Sequence, residues 1–155
     1  MRAGIWTAVL LALIDQTSKT IILPCVMKPP RIIEITEFFN LVLVWNRGVS
    51  FGMLQSSSVW GPILLGAVTL IIIVLLFFWL REANTKLYAI ALGLIIGGAL
   101  GNLTDRVIYQ AVVDFIDIHF FGYHWPAFNV ADSAISIGAI YIIYESLFNR
   151  TREPS

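Results

Sequence analysis

The sequence predicts a membrane protein with an all-α core: a bundle of four transmembrane helices carrying a small extramembrane β-sheet and a short interfacial helix. Hydrophobic residues fill 58% of the 155 positions and charged residues 13%, and the mean hydropathy is +0.82, outside the range of water-soluble globular domains. Four stretches are long and apolar enough to cross roughly 30 Å of hydrocarbon. The two long segments between them, residues 24–59 and 104–131, hold five of the ten acidic residues.

The length suits one domain, residues 1–155. Ten basic and ten acidic residues leave a formal charge of zero, which points to neither a nucleic-acid partner nor a broad basic lipid-binding face. Cys25 is the only cysteine, which excludes an internal disulfide and any multi-cysteine metal site.

The first span is placed at residues 3–23, apolar except for Asp15, Gln16 and Lys19. A cleavable signal peptide is the competing reading, but Asp15 and Lys19 interrupt its core and no A-x-A site follows. Pro24 before Cys25 also argues against a lipid-attachment site there. Asp15 and Lys19 are four apart, so they share a helix face and form an ion pair fixing helix packing; an isolated charge at that depth costs about 3 kcal/mol. Ser18 points off that face, which argues against a serine–lysine pair. Residues 24–59 are too long for a featureless loop. Within them, residues 38–45 are rich in strand-favouring aromatic and β-branched types, and Asn46-Arg47-Gly48 reads as a turn.

The second span, residues 60–80, has no charged residue, and Trp60 and Trp79 sit near its ends as interfacial anchors. The third, residues 87–103, carries Gly93, Gly97, Gly98 and Gly101 at small-xxx-small spacing, which lets helix backbones approach closely. It ends in the polar run Asn102, Asp105 and Arg106, whose i,i+3 and i,i+4 spacing allows one hydrogen-bonded cluster. Residues 107–121 are expected to lie along the interface as a short amphipathic helix. The fourth span is residues 132–148.

Four crossings bring the ends of spans one and three, the start of span four and both long segments to one membrane side. Lys19, Asn46, Asn102, Asp105, Arg106, Asp114, Asn129 and Asp132 therefore converge there. Five basic residues flank the other side, Arg2, Arg81, Lys86, Arg150 and Arg152, against four in the long segments. That bias favours cytoplasmic termini and a site facing outward.

Asp114, Asp117 and Asp132 are the chemistry-bearing acids. A pair of carboxylates in a partly dry site shares one proton, so that one serves as base and the other as acid without a metal. Taken singly, Asp114 and Asp117 read as a solvated edge and Asp132 as a helix N-cap. His119 and His124 lack zinc-site spacing and read as solvated side chains. No catalytic metal or cofactor is expected, and no nucleophile elbow, phosphate loop or dinucleotide fingerprint is present. From the residues alone it stays open which two acids form the pair. A proton-coupled transporter using the acids as a relay is the alternative from another class.

Five motifs resemble those of bacterial lipoprotein signal peptidase, the signal peptidase II family. Asp15-Gln16-Thr17-Ser18-Lys19 resembles D-Q-x-[ST]-K. Asn46-Arg47-Gly48-Val49-Ser50-Phe51-Gly52 resembles N-x-G-x-A-[FW]-G, with Ser50 where the pattern has alanine. Residues 97–106 resemble G-[GA]-x-x-G-N-x-x-D-R, residues 112–115 V-x-D-F, and residues 128–132 F-N-x-A-D. The resemblance implies an aspartic endopeptidase with Asp114 and Asp132 as catalytic pair, leaving Asp117 peripheral. It implies a β-cradle over residues 27–45 and an interfacial helix after Arg106. Lys19, Asn46, Gly48, Asn102, Asp105, Arg106, Asn129 and Ala131 become supporting or substrate-contacting residues, with Asp15 structural. The implied substrates are diacylglyceryl-modified prolipoproteins, cut before the lipidated cysteine in the bacterial inner membrane among its lipids. A cyclic peptide antibiotic of the globomycin type would overlap the pair.

Overall fold

The computed structural model describes residues 1–48 and 60–148. Helix α1 runs Arg2–Ile21 and continues as a π-helical turn at Ile22–Val26. Strands β1 (Ile33–Thr36) and β2 (Phe39–Asn46) follow, then α2 (Trp60–Arg81), α3 (Lys86–Tyr109), β3 (Val112–Phe120), β4 (Tyr123–His124) and α4 (Val130–Phe148). The four α-helices are each long and apolar enough to cross a membrane, and the chain is a multi-pass membrane protein.

Helix α3 is the spine against which the other three helices pack. Its glycines explain why. A Cβ on Gly97 would lie 2.6 Å from the Ala8 carbonyl oxygen of α1, and one on Gly98 2.5 Å from that of Ala131 of α4. Neither distance is tolerable, so the absence of a side chain sets both helix separations. Thr85 opens α3 by accepting from the Tyr88 N–H at 3.1 Å, an N-cap that satisfies a free donor. Leu64, Ile71, Leu75 and Phe78 on α2 are exposed, as a lipid-facing wall requires.

Above one end of the bundle the strands form an antiparallel sheet in the order β1-β2-β3-β4. Val44 pairs with Asp114 and Asn40 with Asp117. The expected interfacial helix at residues 107–121 is not formed. Helix α3 continues to Tyr109, Gln110 ends it in the left-handed conformation at φ 56°, and β3 occupies the rest. Val112, Val113, Phe115, Ile116 and Ile118 are strand formers, and β2 supplies a hydrogen-bonding edge that a free helix would leave unused. The expected strand at residues 38–45 is β2. Strands β3 and β4 join in a hairpin with Phe121 and Gly122 at its tip. Helix α4 starts two residues before position 132. Ser50 lies outside the described residues.

Candidate active site

The site is built where β3, the end of α3 and the start of α4 meet. Residues three apart on a strand point to opposite faces. Asp114 therefore turns to the helices, where it is 1% exposed, and Asp117 turns to the far side of the sheet. There Asp117 accepts from Asn40 Nδ2 at 2.9 Å and pairs with His124 Nδ1 at 2.9 Å. Burial raises its pKa, but the His124 and Asn40 hydrogen bonds outweigh this and hold it below the usual carboxylate range. His124 is thus a carboxylate partner and not simply solvated, and His119 stacks on it at 4.8 Å.

Asn129 joins Asp114 to Asp132. Its Nδ2 donates to Asp114 Oδ1 at 2.7 Å, and its backbone N–H donates to Asp132 Oδ2 at 3.2 Å. Its own Oδ1 accepts from the Asp132 N–H at 3.0 Å. The last two bonds make a capping box. Asn129 is the N-cap of α4 and Asp132 sits three residues in, correcting the expectation that Asp132 itself caps the helix. The other oxygens are also held by amides: Asn46 Nδ2 donates to Asp114 Oδ2 at 3.0 Å, and Asn102 Nδ2 to Asp132 Oδ1 at 2.8 Å. Gly48 closes the turn after Asn46, donating its N–H to Asn46 Oδ1 at 3.1 Å. Its φ of 141° is a conformation for which glycine is suited.

Beneath this pair lies a buried ionic cluster. Lys19 Nζ is 2.8 Å from Asp15 Oδ2 and 2.8 Å from Asp105 Oδ2, and donates to Asn102 Oδ1 at 3.2 Å. The predicted Asp15–Lys19 pair is present with Asp105 as a third member. Asp15 Oδ1 accepts from the Ala131 N–H at 3.0 Å, and Asp105 Oδ2 from the Val113 N–H at 3.0 Å. The cluster thereby ties α1 to the start of α4, and α3 to β3. Arg106 donates to the Asn102 carbonyl at 3.2 Å and forms no ion pair among the described residues.

Sequence reasoning gave no role to Gln16 or Asn40. Gln16 Nε2 donates to Asp105 Oδ1 at 2.9 Å and to the Gly101 carbonyl at 3.0 Å. A polar residue inside an apolar span was its signal; Asn40 is likewise a polar interruption in a strand-like run. Among the described residues, no three or more His, Cys, Asp and Glu side chains are placed to share a metal ion.

Burial pushes the Asp114 carboxyl up from its ordinary 3.8 to about 6; the Asn46 hydrogen bond opposes this, and the nearby Asp132 adds to it. Two carboxyls joined through one asparagine, one of them with its pKa raised towards neutrality, can take a proton from water and return one to a leaving group.

Known proteins resemble this chain in sequence and in fold. The profile of the family described as signal peptidase (SPase) II matches residues 7–148. A lipoprotein signal peptidase of Burkholderia multivorans is 44% identical over 141 residues, covering 90% of this chain and 84% of its own. One from Rhodopseudomonas palustris is 42% identical over 152 residues, covering 95% and 93%. A bacterial membrane enzyme solved by the in meso method superposes with a TM-score of 0.82 at 33% identity, over 100% of this chain and 95% of that one.

Proposed function

The chain belongs to the signal peptidase II family and is a membrane peptidase that removes signal peptides from prolipoproteins, and we propose that Asp114 and Asp132 are its catalytic pair. The observation that carries this assignment is the double attachment of Asn129, which joins one carboxylate to the other through its amide and its backbone N–H. In the reaction, the ionised carboxylate takes a proton from water as the water oxygen attacks the scissile carbonyl. The protonated one gives its proton to the departing nitrogen as the C–N bond breaks. The products are a signal peptide with a new carboxylate and a lipoprotein with a free α-amine. No step uses a metal or cofactor.

The substrate is a prolipoprotein whose cysteine already carries a diacylglyceryl group, cut just before that cysteine. The site's place at the end of the bundle supports this, because lipid chains would remain in the bilayer while the peptide reaches the sheet. Lys19, Asp15 and Asp105 hold the frame, Asn46, Asn102 and Asn129 hold the carboxylates, and Arg106 is available to a substrate carbonyl. The site faces the outer side of the bacterial inner membrane, a reading supported by the basic residues at the other end. A globomycin-type cyclic peptide competes for the space over the pair, an expectation that rests on family membership. The proton-relay alternative has no support: residues 62–80, 87–101 and 133–144 carry no Asp, Glu, Lys, Arg or His, so no chain of such groups crosses the bilayer.

The test is cleavage of a diacylglyceryl-modified prolipoprotein by detergent-solubilised protein, with and without chelator, read as product mass. Asp114→Asn and Asp132→Asn should each lose cleavage by about a thousandfold or more, and chelator should change nothing. Appreciable turnover by either variant would falsify the pair, and loss of activity with chelator would point instead to a metal.

A further inference from the structure

At the end of the bundle away from the catalytic pair, the end of α2, the start of α3 and the end of α4 enclose a cleft of about 740 Å³. Glu82, Glu145, Trp79 and Tyr88 are among its lining residues. Neither glutamate has a basic partner within 4.0 Å among the described residues. Arg81 and Lys86, the nearest cations in sequence, are exposed. Glu145 Oε2 is sealed from solvent and has no hydrogen-bond partner among the described residues. The Tyr141 hydroxyl is the hydrogen-bonding neighbour of this carboxyl, a neutral partner that supplies no positive charge. Trp79 and Tyr88 meet edge-on at 6.2 Å, adding aromatic surface of the kind that attracts a cation. Carboxylates and aromatic rings around a roomy cleft select a cationic group over a neutral or anionic one.

The distance to the catalytic pair suggests what carries that cation. Glu145 lies thirteen residues from Asp132 on the same helix, or about 20 Å at 1.5 Å per residue. A signal peptide has a basic leading segment, then 7–15 apolar residues and the cleavage site. With the cut at the sheet end of the bundle and the apolar part running along the helices, the basic segment lies toward the other end, whichever way up the enzyme lies. As a helix, the apolar part covers roughly 10–22 Å, so the two ends of one substrate reach the two sites together.

We propose that this cleft docks the basic leading segment of the signal peptide, its lysine or arginine side chains lying against Glu82 and Glu145 beside Trp79 and Tyr88. The proposal rests on the peptidase reading above. It makes the enzyme a two-ended reader: the sheet end recognises the lipidated cleavage site, and the far end recognises charge about 20 Å away along α4.

The experiment compares two diacylglyceryl-modified prolipoproteins in maltoside micelles, which contain no cationic headgroup. One keeps its leading lysines and arginines and the other has glutamine in their place. The parent enzyme should favour the basic substrate by about five- to tenfold in KM, with similar kcat, because docking lies far from the chemistry. In Glu82→Gln/Glu145→Gln that preference should fall to near one. A parent enzyme without preference, or a double variant that keeps it, overturns the proposal. Added phosphatidylethanolamine that abolishes the preference identifies a lipid ammonium as the occupant and also overturns it. If the double variant does not fold, a substrate series with zero to three leading lysines on the parent enzyme carries the test. Binding of both substrates to Asp114→Asn separates the two readings. Preferential binding without any parent cleavage defeats only the peptidase assignment, whereas cleavage without preference defeats only the docking site.

Discussion

Asn129 carries two jobs that can be separated by substitution. Its side-chain oxygen caps α4, and its Nδ2 donates to Asp114. Asn129→Ser keeps a capping oxygen and loses the amide donor. The expected outcome is a melting temperature within a few degrees of the parent and a fall in kcat of about a hundredfold, an effect that loss of one preorganised donor can produce. Asn129→Ala should lose comparable activity and about 1 kcal/mol more stability. Asp114 itself offers a pH test. Its folded carboxyl titrates at about 6 against an ordinary 3.8, so between those values the folded protein holds a proton that the unfolded chain has released. Stability therefore falls as pH rises through that window, by about 3 kcal/mol, and this contribution changes no further above it. Asp114→Asn has no such titration. Denaturation measured at pH 3.5 and 7 should show the variant gaining about 3 kcal/mol on the parent over that interval; a constant difference would contradict the buried, proton-holding carboxyl.

The four helices were legible from their apolar lengths, and the glycine spacing of α3 correctly marked the helix that packs on both sides. The strand β3 was not legible as a strand. Asp114 and Asp117, three apart in an apolar run, fit one face of an amphipathic helix as well as two faces of a strand, and only the β2 edge decides between them. The same ambiguity hid the separation of the two acids: a helix would have placed them together, whereas the strand sends one to Asn129 and the other to His124. The sequence marks Asn129 as a candidate beside Asp132, but its reciprocal bonds with Asp132 required the start of α4 to be known to the residue. The close contacts of α3 give an element-scale prediction. Gly98→Ala puts a methyl group against the Ala131 carbonyl and displaces α4, with Asp132, relative to Asn102. Cleavage should drop at least tenfold. Gly66→Ala meets only Leu103 at 3.6 Å and should be neutral or stabilising by up to about 1 kcal/mol, since alanine is the better helix former. Equal losses in the two variants would show that glycine flexibility, and not interhelix spacing, matters.

The whole molecule is polarised. Its sheet, its buried ionic cluster and the proposed catalytic pair lie at one end, and the acidic–aromatic cleft lies at the other. Cys25, the only thiol in the chain, is exposed and follows α1 at the catalytic end. It provides a probe of orientation that needs no engineering. A membrane-impermeant maleimide applied to intact inner-membrane spheroplasts should label it, and the same reagent on inside-out vesicles should not. The opposite pattern would invert the outward-facing assignment. The exposed Phe120, Phe121, Tyr123 and Trp125 crowd the hairpin at this end, where amphipathic rings suit the headgroup region.

The amide frame around Asp114 and Asp132 also bears on how the molecule ages. Asparagine is chemically labile, chiefly where a following glycine or serine lets its backbone nitrogen swing onto the side-chain carbonyl. Asn46 is followed by Arg47, Asn102 by Leu103 and Asn129 by Val130, all bulky. Asn102, inside α3, and Asn129, the N-cap of α4, are further held in place by hydrogen bonds on both side-chain atoms. Spontaneous conversion of Asn129 to aspartate would wedge a third carboxylate between Asp114 and Asp132 and silence the enzyme. Its surroundings keep that clock slow.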